Sequence, residues 1–228
     1  MKRIIFGLLS LINFGLYSQS PQEFNTGNPD YLEDQFYLGL TYNFLLDKPS
    51  DFKQTNLSYG LQGGIIKDMP INSKRTFAIG LGLGYAVNSY YSNIVATESN
   101  DGIIYRIASD VDQVKRSKFE THLVELPIEI RWRDSTSEEY KFWRVYSGIK
   151  LGYVFGSRSK VVTIDDKTSF VNPDIRKFHY GLMFNFGYNT FNVHFYYSLN
   201  SLLEDGAVVG TEELNMKPLR VGLIFYIL

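Results

Sequence analysis

The thirteen residues from Thr121 to Arg133, THLVELPIEIRWR, alternate strictly. Val124, Leu126, Ile128, Ile130 and Trp132 share one parity, while Leu123, Glu125, Pro127, Glu129, Arg131 and Arg133 share the other. A period of two is that of a β-strand with two unlike faces. One face is continuously apolar and ends in Trp. The other carries four charges that neither lipid nor an ordinary packed core accepts unpaired. The charged face is either the wet side of a soluble sandwich or the lining of an enclosed lumen, and the other strands must decide.

Seven further stretches repeat the rule. Strands are expected over Phe36–Phe44, Ser58–Lys67, Arg75–Tyr91, Lys141–Phe155, Arg176–Tyr188, Phe191–Asn200 and Met216–Leu228. Their outward parity is apolar or aromatic throughout, as in Phe77, Ile79, Leu81, Leu83, Tyr85 and Val87 of the third strand. With Thr121–Arg133 that makes eight strands, and the connections run long, short, long, short, long, short, long. The short ones lie around Pro70, over Asp134–Tyr140, and at Asn189–Thr190; the longest, Ser92–Lys118 and Gly156–Ile175, read as polar loops, the first with a short apolar piece at Gly102–Ile107. Short periplasmic turns, longer external loops, alternating segments of about ten residues and an apolar outer face predict an all-β fold, an eight-stranded antiparallel transmembrane β-barrel of the outer-membrane type. A sandwich has no reason to sort its loops by length. The 17 Tyr, 17 Phe and 19 Gly, against 7 Pro, suit strands joined by tight turns.

The start of the chain agrees with export. Lys2 and Arg3 precede the apolar run Ile4–Tyr17, and small or polar residues follow, so residues 1–18 read as a signal peptide. Residues 19–35 read as a polar periplasmic lead-in and 36–228 as the barrel domain. No Cys is present, which removes a disulfide framework and a lipid-attachment thiol. A formal charge of -1 gives no sign of nucleic-acid binding.

An eight-stranded barrel is only wide enough inside for its own side chains. Strands two and three offer Gly60, Gly64, Gly80, Gly82 and Gly84 inward, whereas strands four and five offer Glu125, Glu129, Arg131, Arg144 and Lys150. Long charged side chains are expected to lean across onto the glycine wall. Register over the Asp134–Tyr140 hairpin is expected to pair Glu125 with Gly148 or Lys150, and Glu129 with Arg144 or Tyr146. These residues, with Arg220 as a further member, are expected to form a structural salt-bridge network that plugs the tube; the alternative is a ligand or proton path. Trp132, Trp143, Tyr188 and Phe191 point outward beside the short turns and are expected to form an aromatic girdle.

No catalytic, cofactor or metal set is expected. His179 and His194 lack metal-ligand spacing, and no phosphate loop or zinc pattern appears. His122 falls on the outward parity near the external rim, where a lipid-modifying enzyme would need a hydroxyl beside it, and its strand neighbour on that face is Val124.

At VELPIEIRWR (Val124–Arg133), KFWRVYSGIKLGYVFGSRSK, HYGLMFNFGYNTFNVHFYYSLNSL and the terminal PLRVGLIFYIL, the sequence resembles the PorT family of Bacteroidota outer-membrane proteins. LPIE marks small barrels of these bacteria generally, and the longer run from Lys141 points to the family itself. The resemblance implies a part in the type IX secretion system, and in gliding species in motility. It supplies no catalytic residue. The expected partners are outer-membrane lipid and other secretion-system proteins, with no nucleic acid and no small-molecule substrate. The rivals are a stand-alone adhesion barrel that uses its long external loops, and the lipid enzyme.

Overall fold

The computed structural model describes residues 35–134, 143–189 and 191–227. The barrel strands are β1 (Gln35–Leu46), β2 (Tyr59–Pro70), β3 (Phe77–Ser92), β6 (Arg116–Arg133), β7 (Trp143–Val162), β9 (Phe178–Tyr188), β10 (Phe191–Ser198) and β13 (Lys217–Ile227). Between them lie the short strands β4 (Ile94–Ser99), β5 (Gly102–Ile107), β8 (Lys167–Phe170), β11 (Val208–Val209) and β12 (Glu212–Glu213). The eight long strands run antiparallel in the order β6-β3-β2-β1-β13-β10-β9-β7, and pairing of β6 with β7 closes the ring. Closure gives each of the eight long strands a partner on both sides, so the wall's backbone groups pair along the ring without needing water. The signal peptide read over residues 1–18, nearly all of the lead-in and most of the Asp134–Tyr140 turn lie outside the described residues. Gln35, placed at the end of the lead-in by its composition, instead opens β1 with a buried side chain.

Alternation decides which side chains enter the tube. In β1 the odd-numbered positions are buried and the even ones mostly exposed; β9 follows the same parity and β10 the opposite one. The tight turn after Tyr188 is made possible by Asn189, whose φ of 55° lies in the left-handed region that Asn tolerates, with Tyr188 paired directly to Phe191.

Three expectations are corrected. The register of β6 on β7 pairs Glu129 with Gly148 and Glu125 with Gly152, two residues further along β7 than the nearer of the expected partners for each. The pairing runs unbroken to Arg133–Arg144, so the turn is centred later than its polar residues suggested. Both strands are also longer than expected. β6 begins at Arg116 and β7 continues to Val162, because a register shift at His122/Leu123 reverses the parity of β7 and ends the visible alternation at Phe155.

The third correction concerns the external loops, which fold. β4 and β5 form a hairpin, β5 joins β11 and β12 in a second sheet, and β8 turns back onto the projecting end of β7. Tyr90, Phe119 and Leu123 from the upper barrel wall meet Ile94, Ala96 and Tyr105 of the hairpin and Ile175, Leu202, Leu203, Leu214 and Met216 from the later loops. Apolar residues of strand ends and of short pieces within the polar loops thus gather into one buried cluster that caps the barrel mouth. Tyr105 ties the cap together: its hydroxyl donates to Asp174 at 2.9 Å and accepts from the Asn172 amide at 3.0 Å. Burial raises its pKa above the ordinary phenol value and keeps it a donor.

Candidate functional site: the filled lumen

Alternation in β6 aims Glu125, Glu129, Arg131 and Arg133 into the tube, and all four are buried. They belong to two tiers. In the tier nearer the cap, Glu125 meets Lys150 at 3.1 Å through Oε2 and Arg220 at 2.8 Å through Oε1. Lys150 also donates to Gln62 Oε1 at 2.7 Å, and the ring of Tyr196 lies 4.2 Å from the Arg220 guanidinium and 5.7 Å from the Lys150 ammonium. One carboxylate, one amide and one aromatic face therefore serve two cations.

In the tier nearer the short turns Arg131 donates through Nε to Glu129 at 2.7 Å and through Nη1 to Asp68 at 2.8 Å and Gln35 at 3.2 Å. Its guanidinium is flanked by Tyr146 at 4.5 Å and Tyr226 at 5.3 Å. Asp68 holds a second cation through its other oxygen, Arg133 Nη2 at 2.9 Å, and Arg133 Nε donates to the Arg75 carbonyl at 2.8 Å. Glu129 turns to Arg131 on its own strand, two residues away, and not to Arg144 or Tyr146 as the expected register implied. Arg144 is buried beside this tier, directly opposite Arg133 in register.

Among the described residues, the buried cations Arg131, Arg133, Arg144, Lys150 and Arg220 share the tube with the carboxylates Asp68, Glu125 and Glu129. Tyrosine faces and backbone or amide oxygens add further negative potential. Between the tiers and around them, His194 Nδ1 lies 2.5 Å from Asn185 Oδ1, and the Asn185 amide donates to the Tyr226 hydroxyl at 3.0 Å. Among the described residues no group of His, Asp or Glu is arranged to hold a metal ion.

The bare wall is filled, but mostly from next door. A Cβ on Gly80 would come within 2.7 Å of Arg131 Nε, and one on Gly39 within 2.7 Å of the Gln62 amide nitrogen. Gly84 and Gly64 are covered by the ring of Tyr37 from the neighbouring β1 side of the sheet, and Gly82 by Ile66 and Pro127. The glycines are thus covered mostly from adjacent or next-adjacent strands, which reach them with less chain than the opposite wall needs, while the long side chains that do cross the lumen, Arg220 to Glu125 and Lys150 to Gln62, end on polar groups and not on glycine.

Asp68, Arg133, Gln35 and Gln62 take part without having been singled out from the sequence. Strand two keeps its parity one step past Ile66, which puts Asp68 inside; its position next to the Pro70 turn disguised it as a turn residue. Arg133 shares the parity of Glu125 and Arg131 and was readable on that ground.

On the outer face Trp132, Trp143, Tyr188 and Phe191 are all exposed, at the end of the barrel with the short turns. Trp143 stands opposite Tyr188 with ring centroids 5.3 Å apart, whereas Trp132 stands between Phe77 and Val145. At the other end His122 finds a hydroxyl, but a phenolic one: Tyr85 Oη lies 2.6 Å from Nδ1, and Glu120 lies 3.6 Å from Nε2.

Residues 17–204 match the family model described as outer membrane protein beta-barrel domain. No curated protein is significantly similar in sequence. Among solved structures, Ail, the attachment invasion locus protein of Yersinia pestis, is 12% identical over 85% of this chain and 96% of its own, with a TM-score of 0.39. A triple mutant of the Rhodopseudomonas blastica porin is 8% identical over 86% of this chain and 100% of its own, with a TM-score of 0.22. By the span of its match to the family model, this closed eight-stranded barrel is a member of the outer membrane protein β-barrel domain family.

Proposed function

We propose that this chain is a non-enzymatic outer-membrane barrel that assists protein secretion from its surfaces, as an accessory of the type IX secretion system. The observation that carries the reading is the filled lumen: two tiers of ion pairs centred on Glu125 and Asp68 occupy the tube, and a buried apolar cap covers its external mouth. A tube of this width filled in this way has no room for a translocating chain. The secretion role itself rests on the resemblance of Val124–Arg133, Lys141–Lys160, His179–Leu202 and the terminal Pro218–Leu228 to the PorT family, and the signal read over residues 1–18 would deliver the chain to the periplasm.

The test is deletion of the gene in its host. Cargo is expected to accumulate in the periplasm while the outer membrane still excludes dyes and detergents. Complementation with a barrel altered in the short turn over residues 71–76 is expected to fail although the barrel is present in normal amount. Normal cargo secretion in the deletion strain would end this reading. It would favour the second one, an adhesion barrel acting through the folded cap.

A further inference from the structure

On the outer face of β6, ten residues separate Trp132 from His122. At about 3.3 Å per residue and a tilt of about 40° they cover a height of roughly 25 Å, which is that of the apolar band of an outer-membrane barrel. The next outward positions, Glu120, Lys118 and Arg116, therefore stand at the headgroup level of the external leaflet. Across the register shift at His122/Leu123, β7 presents Arg158 opposite Glu120 and Lys160 opposite Lys118, and β8 adds Lys167 opposite Val162 and Ser169 opposite Lys160. Among the described residues five cations, Arg116, Lys118, Arg158, Lys160 and Lys167, thus occupy one face of the β6-β7-β8 corner, with the carboxylate of Glu120 set among them. Asp165 and Asp166 belong to the β7–β8 hairpin tip, farther out, where Asp166 Oδ2 accepts from the Thr168 hydroxyl at 3.2 Å.

Three rim cations elsewhere are matched: Lys217 with Asp47 at 3.1 Å, Arg176 with Glu204 at 3.0 Å and Asp205 at 2.6 Å, and Arg106 with Asp112 at 2.5 Å. Here Lys118 takes Glu120, and Arg116, Arg158, Lys160 and Lys167 have no ion pair among the described residues. Their like charges act on one another. Lys167 foremost, then burial and Lys118, hold the Lys160 ammonium below the ordinary lysine range. Tyr91, Arg116, Lys118, Lys160 and Val162 line a shallow depression whose floor is aromatic, the Lys118 ammonium lying 5.5 Å from the Tyr91 ring. Directly below, towards the membrane centre, Val124, Tyr153 and Phe155 are exposed and apolar, and the Tyr85–His122 pair marks the boundary.

We propose that this corner binds the phosphorylated glycolipid of the outer leaflet, with its phosphates on Arg116, Lys118, Arg158, Lys160 and Lys167 and its acyl chains on Val124, Tyr153 and Phe155. Doubly charged phosphate supplies the counter-charge that the four unmatched cations lack, and arginine and lysine are its usual ligands. The apolar surface immediately beneath selects a lipid over a free anion or an acidic polymer, neither of which has chains to place there.

The test titrates the full barrel in nanodiscs with bisphosphorylated lipid A and with the same lipid after removal of both phosphates, bound lipid being counted by native mass spectrometry. The phosphorylated form is expected to bind tighter, and raising the salt from 50 to 500 mM is expected to weaken it. The triple variant R158Q/K160Q/K167Q, folded as judged by heat-modifiable mobility, is expected to lose on the order of 100-fold in affinity. Should that variant not fold, the salt dependence and the phosphate dependence of the unaltered protein still decide. Equal binding of the two lipids, an unchanged triple variant, or displacement of the lipid by millimolar inorganic phosphate would overturn the proposal.

Discussion

The guanidinium of Arg131 lies 2.8 Å from the carboxylate of Asp68, although β3 stands between the strands that carry them. Neither side chain is exposed to solvent. Asp68 also receives Arg133, so a single carboxylate is shared by two buried cations. Removing one partner of a buried ion pair costs more than the pair contributes, because the remaining charge keeps its desolvation penalty. Asp68→Ala is therefore expected to destabilise the barrel by about 3–5 kcal/mol. Lys67→Ala, one residue away on the exposed outer parity, is expected to leave stability unchanged. Urea unfolding from lipid vesicles, followed by Trp132 and Trp143 fluorescence, compares the two; equal midpoints would refute the shared role of Asp68.

Leu81, Ile128, Ile149 and Leu182 form a continuous row around the barrel, each directly opposite the next in register. The row crosses β6 near the middle of the interval from Trp132 to His122. Arg at Leu81, Ile128 or Ile149 is expected to cost about 2–4 kcal/mol, and Arg at Phe191, beside a short turn, about 0–1 kcal/mol. The same vesicle unfolding assay reads this difference. Equal tolerance at both depths would contradict the membrane placement.

The two tiers and the cap block the tube in series. The barrel reconstituted in a planar bilayer is expected to pass no steady current. Glu125→Ala, which leaves Lys150 and Arg220 without their carboxylate, is expected to lower stability without opening a channel of fixed size. A large, stable single-channel conductance of the unaltered protein would show an open path.

Phe119 packs inside the cap, its ring centroid 6.2 Å from that of Tyr105. Phe119→Ala is expected to cost about 3–5 kcal/mol through the cavity it leaves. Because the cap is built from loops above an otherwise continuous barrel, cleavage by protease is expected to increase within residues 93–115 while the heat-modifiable barrel persists. Tyr105→Phe, which removes only the hydroxyl bridge to Asp174 and Asn172, is expected to give a smaller increase in the same place. Cleavage unchanged in both variants would show that the cap does not depend on this cluster.

Strand order and the division into inner and outer faces were legible in the sequence because a period of two is local: Val124 to Trp132 face out and Glu125 to Arg133 face in whatever the partner strand does. The same local rule carries Asp68 inward, although the nearby Pro70 made it look like part of a turn. What alternation cannot supply is register, since any slip by two residues preserves both faces. Only the assembled β6–β7 pair sets Glu129 opposite Gly148, and only the neighbouring walls decide that Arg131 folds onto Gly80 while Tyr37 fills the space over Gly84. The cap lies further still from local reading. Ile94, Tyr105, Leu203 and Met216 lie in short apolar pieces or at a strand end, far apart in the chain, and their common burial exists only once the closed barrel holds their loops over one mouth. The basic corner likewise depends on a register shift that turns Arg158 and Lys160 outward beside Lys118, a reversal of parity that contact with β6 decides and the residues of β7 alone do not.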